Sequence, residues 1–280
     1  PALASEAAYD LYSKGEYVAA MKSAQAAAAR GDAAASTLMG EMYAKGLGVP
    51  RDMKKAAAAY GNAAKLGDAN AEFALGLIYA RGEGAARDLG KAADLFEKAA
   101  AAGLSEAQYN LAIMYIDGRA RPPDLEKAAG LLRQAAAQGH AEAQYDLGGF
   151  YAEGKGVPRD EARAAEWTGK AAAAGLASAE IEYAIMLYNG RGVAKDEALA
   201  IQYVQSSASK GNPVAQNRLA RLFASGTGLK KDLVQAAKWH LLAREAGISD
   251  FHLDMTLASL TEAERKKAEE EADRFVPARP

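Results

Sequence analysis

The sequence contains no cysteine and no long run of apolar residues. Without cysteine the chain can form no disulfide, bind no zinc ion through thiolates and use no thiol as a nucleophile. A helix that crosses a bilayer needs about 18 or more consecutive, predominantly apolar residues. Because this sequence has no such run, we expect no membrane span.

An excess of charge of one sign is also missing. The chain has 34 basic and 36 acidic residues, which gives a net charge of −2. A protein that binds nucleic acid needs a basic stripe to meet the phosphates. The even mixture of signs therefore argues against a nucleic-acid partner.

The first residues bear on localisation. Pro1 is followed by Ala2-Leu3-Ala4, small residues that resemble the end of a secretory signal. The alternative is chance, because alanine is abundant throughout the chain. We expect an exported, periplasmic protein, with a cytoplasmic location as the alternative.

The dominant feature of the sequence is a period of 36 residues. Glycine recurs at this interval at Gly31, Gly67, Gly103, Gly139, Gly175, Gly211 and Gly247. Other positions recur at the same interval of 36 residues. They hold glycine (from Gly46), aspartate (from Asp52), alanine (from Ala56) and, in most repeats, an aromatic residue (from Tyr43). A fixed period of this length is typical of a solenoid, in which each repeat is stabilised by contacts with its neighbours.

Each repeat contains the signals of two helices, here named A and B. In the second repeat Asp68 is the expected N-cap of helix A, over about 69–81, and Asp88 is the expected N-cap of helix B, over about 89–102. The pair Gly82-x-Gly84 ends helix A, since glycine tolerates positive φ. Gly76 lies inside helix A, where glycine is unfavourable, and is expected to mark a close helix approach.

The ends of the chain depart from the repeat. Residues 5–30 predict a shorter helical hairpin that turns at Gly15, and Thr261 with Glu264 predicts a capping box that opens a charged final helix. We therefore predict an all-α solenoid of about eight antiparallel helix pairs. Its parts are an N-terminal capping hairpin (1–30), six repeats (31–246) and C-terminal capping helices (247–280), which together form one continuous solenoid.

Two stretches of the sequence share a detailed motif. Residues 35–67 carry it through Met39, Gly40, Tyr43, Gly46, Gly48, Val49, Asp52, Lys55, Ala56 and Tyr60, and residues 143–175 through Leu147, Gly148, Tyr151, Gly154, Gly156, Val157, Asp160, Trp167 and Lys170. With this motif the repeats resemble those of the Sel-like repeat (SLR) family, relatives of the tetratricopeptide repeats. The resemblance implies a right-handed superhelix whose concave surface is lined mainly by the A helices. It also implies a non-enzymatic adaptor of the kind found in bacterial signalling, secretion and cell-envelope control.

Each A helix has a second stripe of residues that the core of its own helix pair does not need. Aromatic side chains are common hot spots for partner binding, so we expect this stripe to form a groove for a protein or peptide partner. The candidate residues, here named the A-helix stripe, are Phe73, Leu77, Arg81, Tyr109, Asn110, Ile113, Tyr145, Asp146, Ile181 and Tyr188. One alternative is that the aromatic members pack on the neighbouring A helix. A second is that they bind a glycan or a peptidoglycan fragment.

No pattern in the sequence predicts catalysis, a cofactor or a metal site. The aspartates of the repeated column lie on separate repeats, which suits capping and does not suit paired acid–base work. His140, His240 and His252 have no cysteine and no histidine partner at helical spacing. The Gly-x-Gly pairs follow no strand and lack the third glycine of a phosphate-binding fingerprint. We expect a non-enzymatic monomer, with self-association as the open alternative.

Overall fold

The computed structural model describes residues 2–278. Over these residues the chain forms sixteen α-helices and no strand, so the predicted all-α class is confirmed. The chain divides into two compact units, one that ends at Gln138 and one that begins at Gly139. Each unit consists of successive helix pairs.

The first unit contains four helix pairs. Its helices are α1 (Ala2–Ser13), α2 (Tyr17–Ala28), α3 (Ala33–Lys45), α4 (Met53–Lys65), α5 (Ala69–Arg81), α6 (Leu89–Ala101), α7 (Ser105–Asp117) and α8 (Leu125–Ala137). Each odd-numbered A helix packs on the B helix that follows it, and each B helix from α2 to α6 also packs on the next A helix. This sequential contact is what a solenoid repeat requires.

The second unit begins in the same way and changes at its end. Its helices are α9 (Ala141–Glu153), α10 (Glu161–Ala173), α11 (Ala177–Asn189), α12 (Glu197–Ser209), α13 (Pro213–Ser225), α14 (Leu233–Glu245), α15 (Phe251–Ser259) and α16 (Glu262–Asp273). The last two helices both make their main contacts with α14. The predicted capping box of Thr261 and Glu264 is present at the start of α16.

Helix caps follow the repeated columns of the sequence. The aspartate of every B helix from α4 to α14 accepts a hydrogen bond from a backbone N–H in the first turn, through Asp52, Asp88, Asp124, Asp160, Asp196 and Asp232. The A helices are less uniform. Asp32, Asp68 and Asn212 cap three of them, His140 caps α9 through its ring, and Leu104 and Leu176 offer no side-chain cap.

At two glycine positions of the second repeat, neighbouring atoms leave no room for a side chain. A Cβ on Gly76 would lie 2.6 Å from Cε1 of Phe96, which is fully buried on the paired B helix. This confirms the predicted close approach of α5 and α6. A Cβ on Gly84 would overlap the backbone carbonyl of Met53 at the start of the preceding B helix. The loop after α5 is thus pressed against the previous repeat, a contact that the positive φ of the loop did not by itself predict.

A column of polar residues, one on each A helix from α3 to α13, is buried inside the units and was not predicted. Its members are Ser36, Glu72, Gln108, Gln144, Glu180 and Gln216. Gln108 donates a hydrogen bond of 3.3 Å to the carbonyl of Ala100, and Gln216 donates one of 3.4 Å to that of Ala208. Carbonyls in the last turn of a helix lack partners within the helix. These two amides therefore complete the end of the preceding B helix.

Glu180 places a carboxylate in this column. Its Oε1 accepts hydrogen bonds from Nζ of Lys210 at 2.7 Å and from Oγ of Ser206 at 2.8 Å. Lys210 also donates to the carbonyl of Gly175 at 2.8 Å. The side chains of Glu180 and Lys210 are only 4% and 17% exposed, so this is a buried ion pair that joins the two helices of one repeat.

We predict that Gly84→Ala destabilises the protein more than Gly103→Ala does. The two glycines have nearly the same φ, +92° and +94°, but a Cβ on Gly103 meets nothing within 4 Å. A left-handed alanine costs about 1–2 kcal/mol, and overpacking at Gly84 adds about 1–3 kcal/mol. Urea unfolding followed by circular dichroism measures both costs. Equal unfolding midpoints would contradict the contact with the preceding repeat.

We also predict that Lys210→Met lowers the free energy of unfolding by about 3–5 kcal/mol, because it leaves the Glu180 carboxylate buried without its cation. The matched control is Lys155→Met. Lys155 pairs with Glu153 at 2.6 Å, but both side chains are more than half exposed, so its loss costs less than about 1 kcal/mol. The double variant Glu180→Leu with Lys210→Met should recover most of the loss. Similar midpoints for the two single variants would refute the burial argument.

Candidate functional site

In the first unit, two members of the A-helix stripe pack between helices. Phe73 and Leu77 on α5 lie partly buried against a cluster that includes Phe96 of α6 and Leu111 of α7. The rings of Phe73 and Phe96 have centroids 5.6 Å apart. These contacts match the alternative in which the stripe joins one A helix to the next repeat.

The other members of the A-helix stripe in the first unit differ in exposure. Arg81 is exposed at the end of α5, and Tyr109, Asn110 and Ile113 are partly buried on α7. Nδ2 of Asn110 donates a hydrogen bond of 2.7 Å to the carbonyl of Glu106 on its own helix. The amide is therefore already engaged through one of its donors.

In the second unit, Tyr145 on α9 also packs. It lies partly buried against Ala171, Ala172 and Ala179, which belong to α10 and α11. Burial raises the pKa of the Tyr145 hydroxyl, and the negative charges of Glu182 and Asp146 raise it further. Asp146 itself is partly buried.

The structure corrects the assignment of Ile181 to an accessible surface. Ile181 on α11 is only 6% exposed and packs in a cluster that includes Val204 of α12 and Leu219 of α13. A branched apolar side chain at this position fills the space between successive repeats. Tyr188, two turns further along α11, is instead 36% exposed, and Nζ of Lys195 lies 5.5 Å from its ring centroid.

Tyr188 lies at the edge of an open groove in the second unit. The groove has a volume of about 430 Å³ and is formed by α11, α12, α13 and the loop after α13. Its lining residues are Ala184, Tyr188, Ala200, Ile201, Val204, Val214, Asn217, Arg218, Arg221, Leu222, Ser225 and Thr227. The walls are therefore mainly apolar, and the polar groups come almost entirely from α13.

Asp250 fixes two of these polar groups in place. Its Oδ2 accepts a hydrogen bond from Nε of Arg221 at 2.6 Å and one from Nδ2 of Asn217 at 3.1 Å. Burial alone would raise the pKa of Asp250, but the hydrogen bonds from Arg221, Asn217 and the N–H of Leu253 outweigh it and lower the pKa. The carboxylate side chain is 1% exposed, whereas that of Arg221 is 61% exposed. Arg221 is thus held by a buried anion and presented to solvent.

The sequence could have revealed part of this groove. The stripe positions that hold Phe73 and Leu77 in the second repeat hold Asn217 and Arg221 in the sixth. The change from apolar to polar at both positions is a visible signal. The contribution of Asp250 was hidden, because it belongs to the C-terminal region where the repeat pattern fades.

The histidines have structural contacts. The Nδ1 atom of His140 accepts the N–H of Ala143 at 3.3 Å as the cap of α9. His240 is fully buried, and its Nε2 lies 2.8 Å from Oδ1 of Asp254 on α15. Within residues 2–278 no group of three or more His, Cys, Asp or Glu side chains is placed to hold a metal ion. None of the helices over the same range is both long and apolar enough to cross a bilayer.

Comparison with known families gives a match along most of the chain. A family model described as "Sel1 repeat" matches residues 33–68, 69–104, 105–140, 141–176, 177–212 and 213–248. These six segments confirm the resemblance found in the sequence. A comparison with curated proteins gives no significant match.

Two solved structures show the same kind of fold. A Sel1 repeat protein from Oxalobacter formigenes is 28% identical, with a TM-score of 0.76 over 88% of this chain and 98% of that one. The protein c5321, a protective antigen of uropathogenic Escherichia coli with an SLR fold, is 27% identical, with a TM-score of 0.62 over 92% of this chain and 64% of that one. The repeated helix pairs are therefore those of an SLR solenoid.

We predict that Asp250→Asn destabilises the protein by about 1.5–3 kcal/mol at neutral pH, the range for hydrogen bonds to charged groups. A carboxylate whose pKa is lowered by folding stabilises the protein above its unfolded pKa of about 4. That stabilisation is lost as the pH falls through the lowered pKa. Urea midpoints of both proteins should therefore converge as the pH falls below about 4. Asp117→Asn, at an exposed position, is the control. A gap that persists at the lowest pH would contradict the role of the charge.

Proposed function

Since the chain belongs to the Sel1 repeat family, whose members are generally protein–protein interaction scaffolds, we propose that it is a non-enzymatic adaptor. In this proposal a segment of a partner polypeptide binds on the A-helix side of the repeats. The observation that carries the proposal is the open groove of about 430 Å³ beside α11 and α13. Binding sites of this size are typically apolar clefts with a few fixed polar groups.

The groove offers a polypeptide both exposed apolar area and fixed polar groups. Tyr188 and Val214 are exposed at its edges, 36% and 47% respectively, and offer apolar area without loss of core packing. Asn217 and Arg221 supply polar groups that Asp250 already holds in place. Preorganised groups lose little entropy when a partner binds, so more of the contact energy is kept as affinity.

The proposal includes a bacterial role in signalling, secretion or cell-envelope regulation, in the periplasm. It is supported by the family resemblance and by relatives from two bacteria. A glycan is the less favoured ligand. Sugars stack on open aromatic faces, whereas Phe73 and Tyr145 are partly buried against their neighbours.

We predict that panning of a random library of ten-residue peptides, displayed on phage, against the whole chain yields binders of the groove. Their synthetic, fluorescein-labelled forms should bind at least tenfold more weakly to the double variant Tyr188→Ala with Val214→Ala. The reason is that truncation of aromatic anchors removes a large share of binding energy. Fluorescence anisotropy titrations give the affinities.

The control is Tyr9→Ala with Val18→Ala. These residues have the same types and are 40% and 73% exposed, but they belong to the first hairpin. Their loss should leave peptide affinity unchanged. The proposal fails if no peptide is enriched, or if the enriched peptides bind the two double variants equally.

A further inference from the structure

The groove beside α13 has basic side chains and no acidic one. Its lining includes Arg218 and Arg221, and none of its lining residues is Asp or Glu. The two arginines are three residues apart on one helix, so they lie on the same face. The groove therefore differs in charge from the chain as a whole, which has a net charge of −2.

Arg221 is oriented for a ligand. Asp250 accepts from its Nε atom at 2.6 Å, which leaves the two Nη groups of a side chain that is 61% exposed. The planar fork of a guanidinium matches a carboxylate in a bidentate geometry. Because the buried anion fixes the guanidinium, Arg221 need not be ordered when a ligand binds.

Arg218 carries a positive charge that no acidic side chain of the described residues balances. Over residues 2–278 it forms no ion pair, whereas Asp250 already balances the charge of Arg221. Arg218 is partly buried at the groove wall. A cation in a partly apolar surrounding attracts an anion more strongly than one in bulk water does. This residue therefore gives the groove its preference for negative charge.

We propose that the groove binds an extended acidic segment of a partner protein, in which an Asp or Glu carboxylate lies between Arg218 and Arg221. This inference rests on the proposed function and names the chemistry of its partner. Apolar side chains next to the carboxylate pack against Tyr188, Val204 and Leu222. The amide oxygen of Asn217 is directed by the bond of its Nδ2 to Asp250 and accepts a backbone N–H of the segment.

A protein segment fits the groove better than a nucleic acid does. Nucleic-acid grooves combine many basic residues along a track with several aromatic platforms. Here two arginines share the groove with the aliphatic side chains of Ile201, Val204 and Leu222. Aliphatic walls suit aliphatic side chains, so the anion is expected to come from a peptide carboxylate.

The test uses the peptides selected by panning on the whole chain. We expect the enriched sequences to be rich in Asp and Glu flanked by apolar residues. Synthetic copies in which every Asp and Glu is replaced by Asn and Gln should bind at least tenfold more weakly. Arg218→Gln should weaken binding of the acidic peptides about tenfold, and Arg218→Glu should abolish it. Affinity should also fall as salt is raised.

Arg221→Gln and Arg119→Gln separate the effect of lost charge on binding from an effect on folding. Arg221→Gln removes a partner of buried Asp250 and is therefore read only where thermal unfolding shows a folded protein. Arg218→Gln breaks no described ion pair and carries the test alone if Arg221→Gln unfolds. Arg119→Gln, at a 70% exposed side chain in the first unit, is the matched control and should leave affinity unchanged.

The outcomes distinguish this inference from the proposed function. If selected peptides need Tyr188 and Val214 but bind Arg218→Gln and the amide copies unchanged, the scaffold function stands and the acidic partner is wrong. If no peptide is enriched, both fail. If a ten-nucleotide single-stranded RNA displaces the peptides and binds more tightly than they do, the anion recognised is phosphate and the inference is overturned.

Discussion

The structure depends on contacts between consecutive helix pairs, because a single pair of alanine-rich helices buries too little apolar surface to be stable alone. These contacts need small residues at fixed places. Gly84 lies against the backbone of Met53 in the preceding repeat, and within one helix pair Gly76 lies under the ring of Phe96. A chain in which half of the residues are apolar but only 8% are aromatic is suited to this close packing. The strict period of 36 residues follows from the same geometry.

Close packing of short helices brings many helix ends into the interior, and their unpaired backbone groups must be satisfied. The chain meets this need with two sets of polar residues. The aspartate column caps the starts of the B helices, and Gln108 and Gln216 of the buried column bond to the ends of the preceding B helices. Polar side chains inside each unit are thus part of the stacking and are poor indicators of a ligand site.

Much of the fold could be predicted from the sequence, whereas the site could be predicted only in part. Period, caps and turns are local signals, so helices such as α5 (Ala69–Arg81) match the predicted bounds. The role of the A-helix stripe was harder to predict. Phe73, Tyr145 and Ile181 pack against later repeats, and sequence spacing does not distinguish a packed aromatic from an accessible one. The buried glutamines were also missed, since exposure of a polar residue depends on contacts between repeats.

The groove arises where the stripe stops packing. Positions that hold Phe73, Tyr145 and Ile181 in earlier repeats join one A helix to the next through apolar contact. In the sixth repeat the same position holds Asn217, which instead donates to Asp250 at the start of α15. Asn217 lines the open groove together with Arg218 and Arg221 of the same helix. A solenoid built of nearly identical repeats thus gains a distinct groove at the repeat that departs from the pattern. The cost is limited because Asp250 replaces the lost packing with hydrogen bonds.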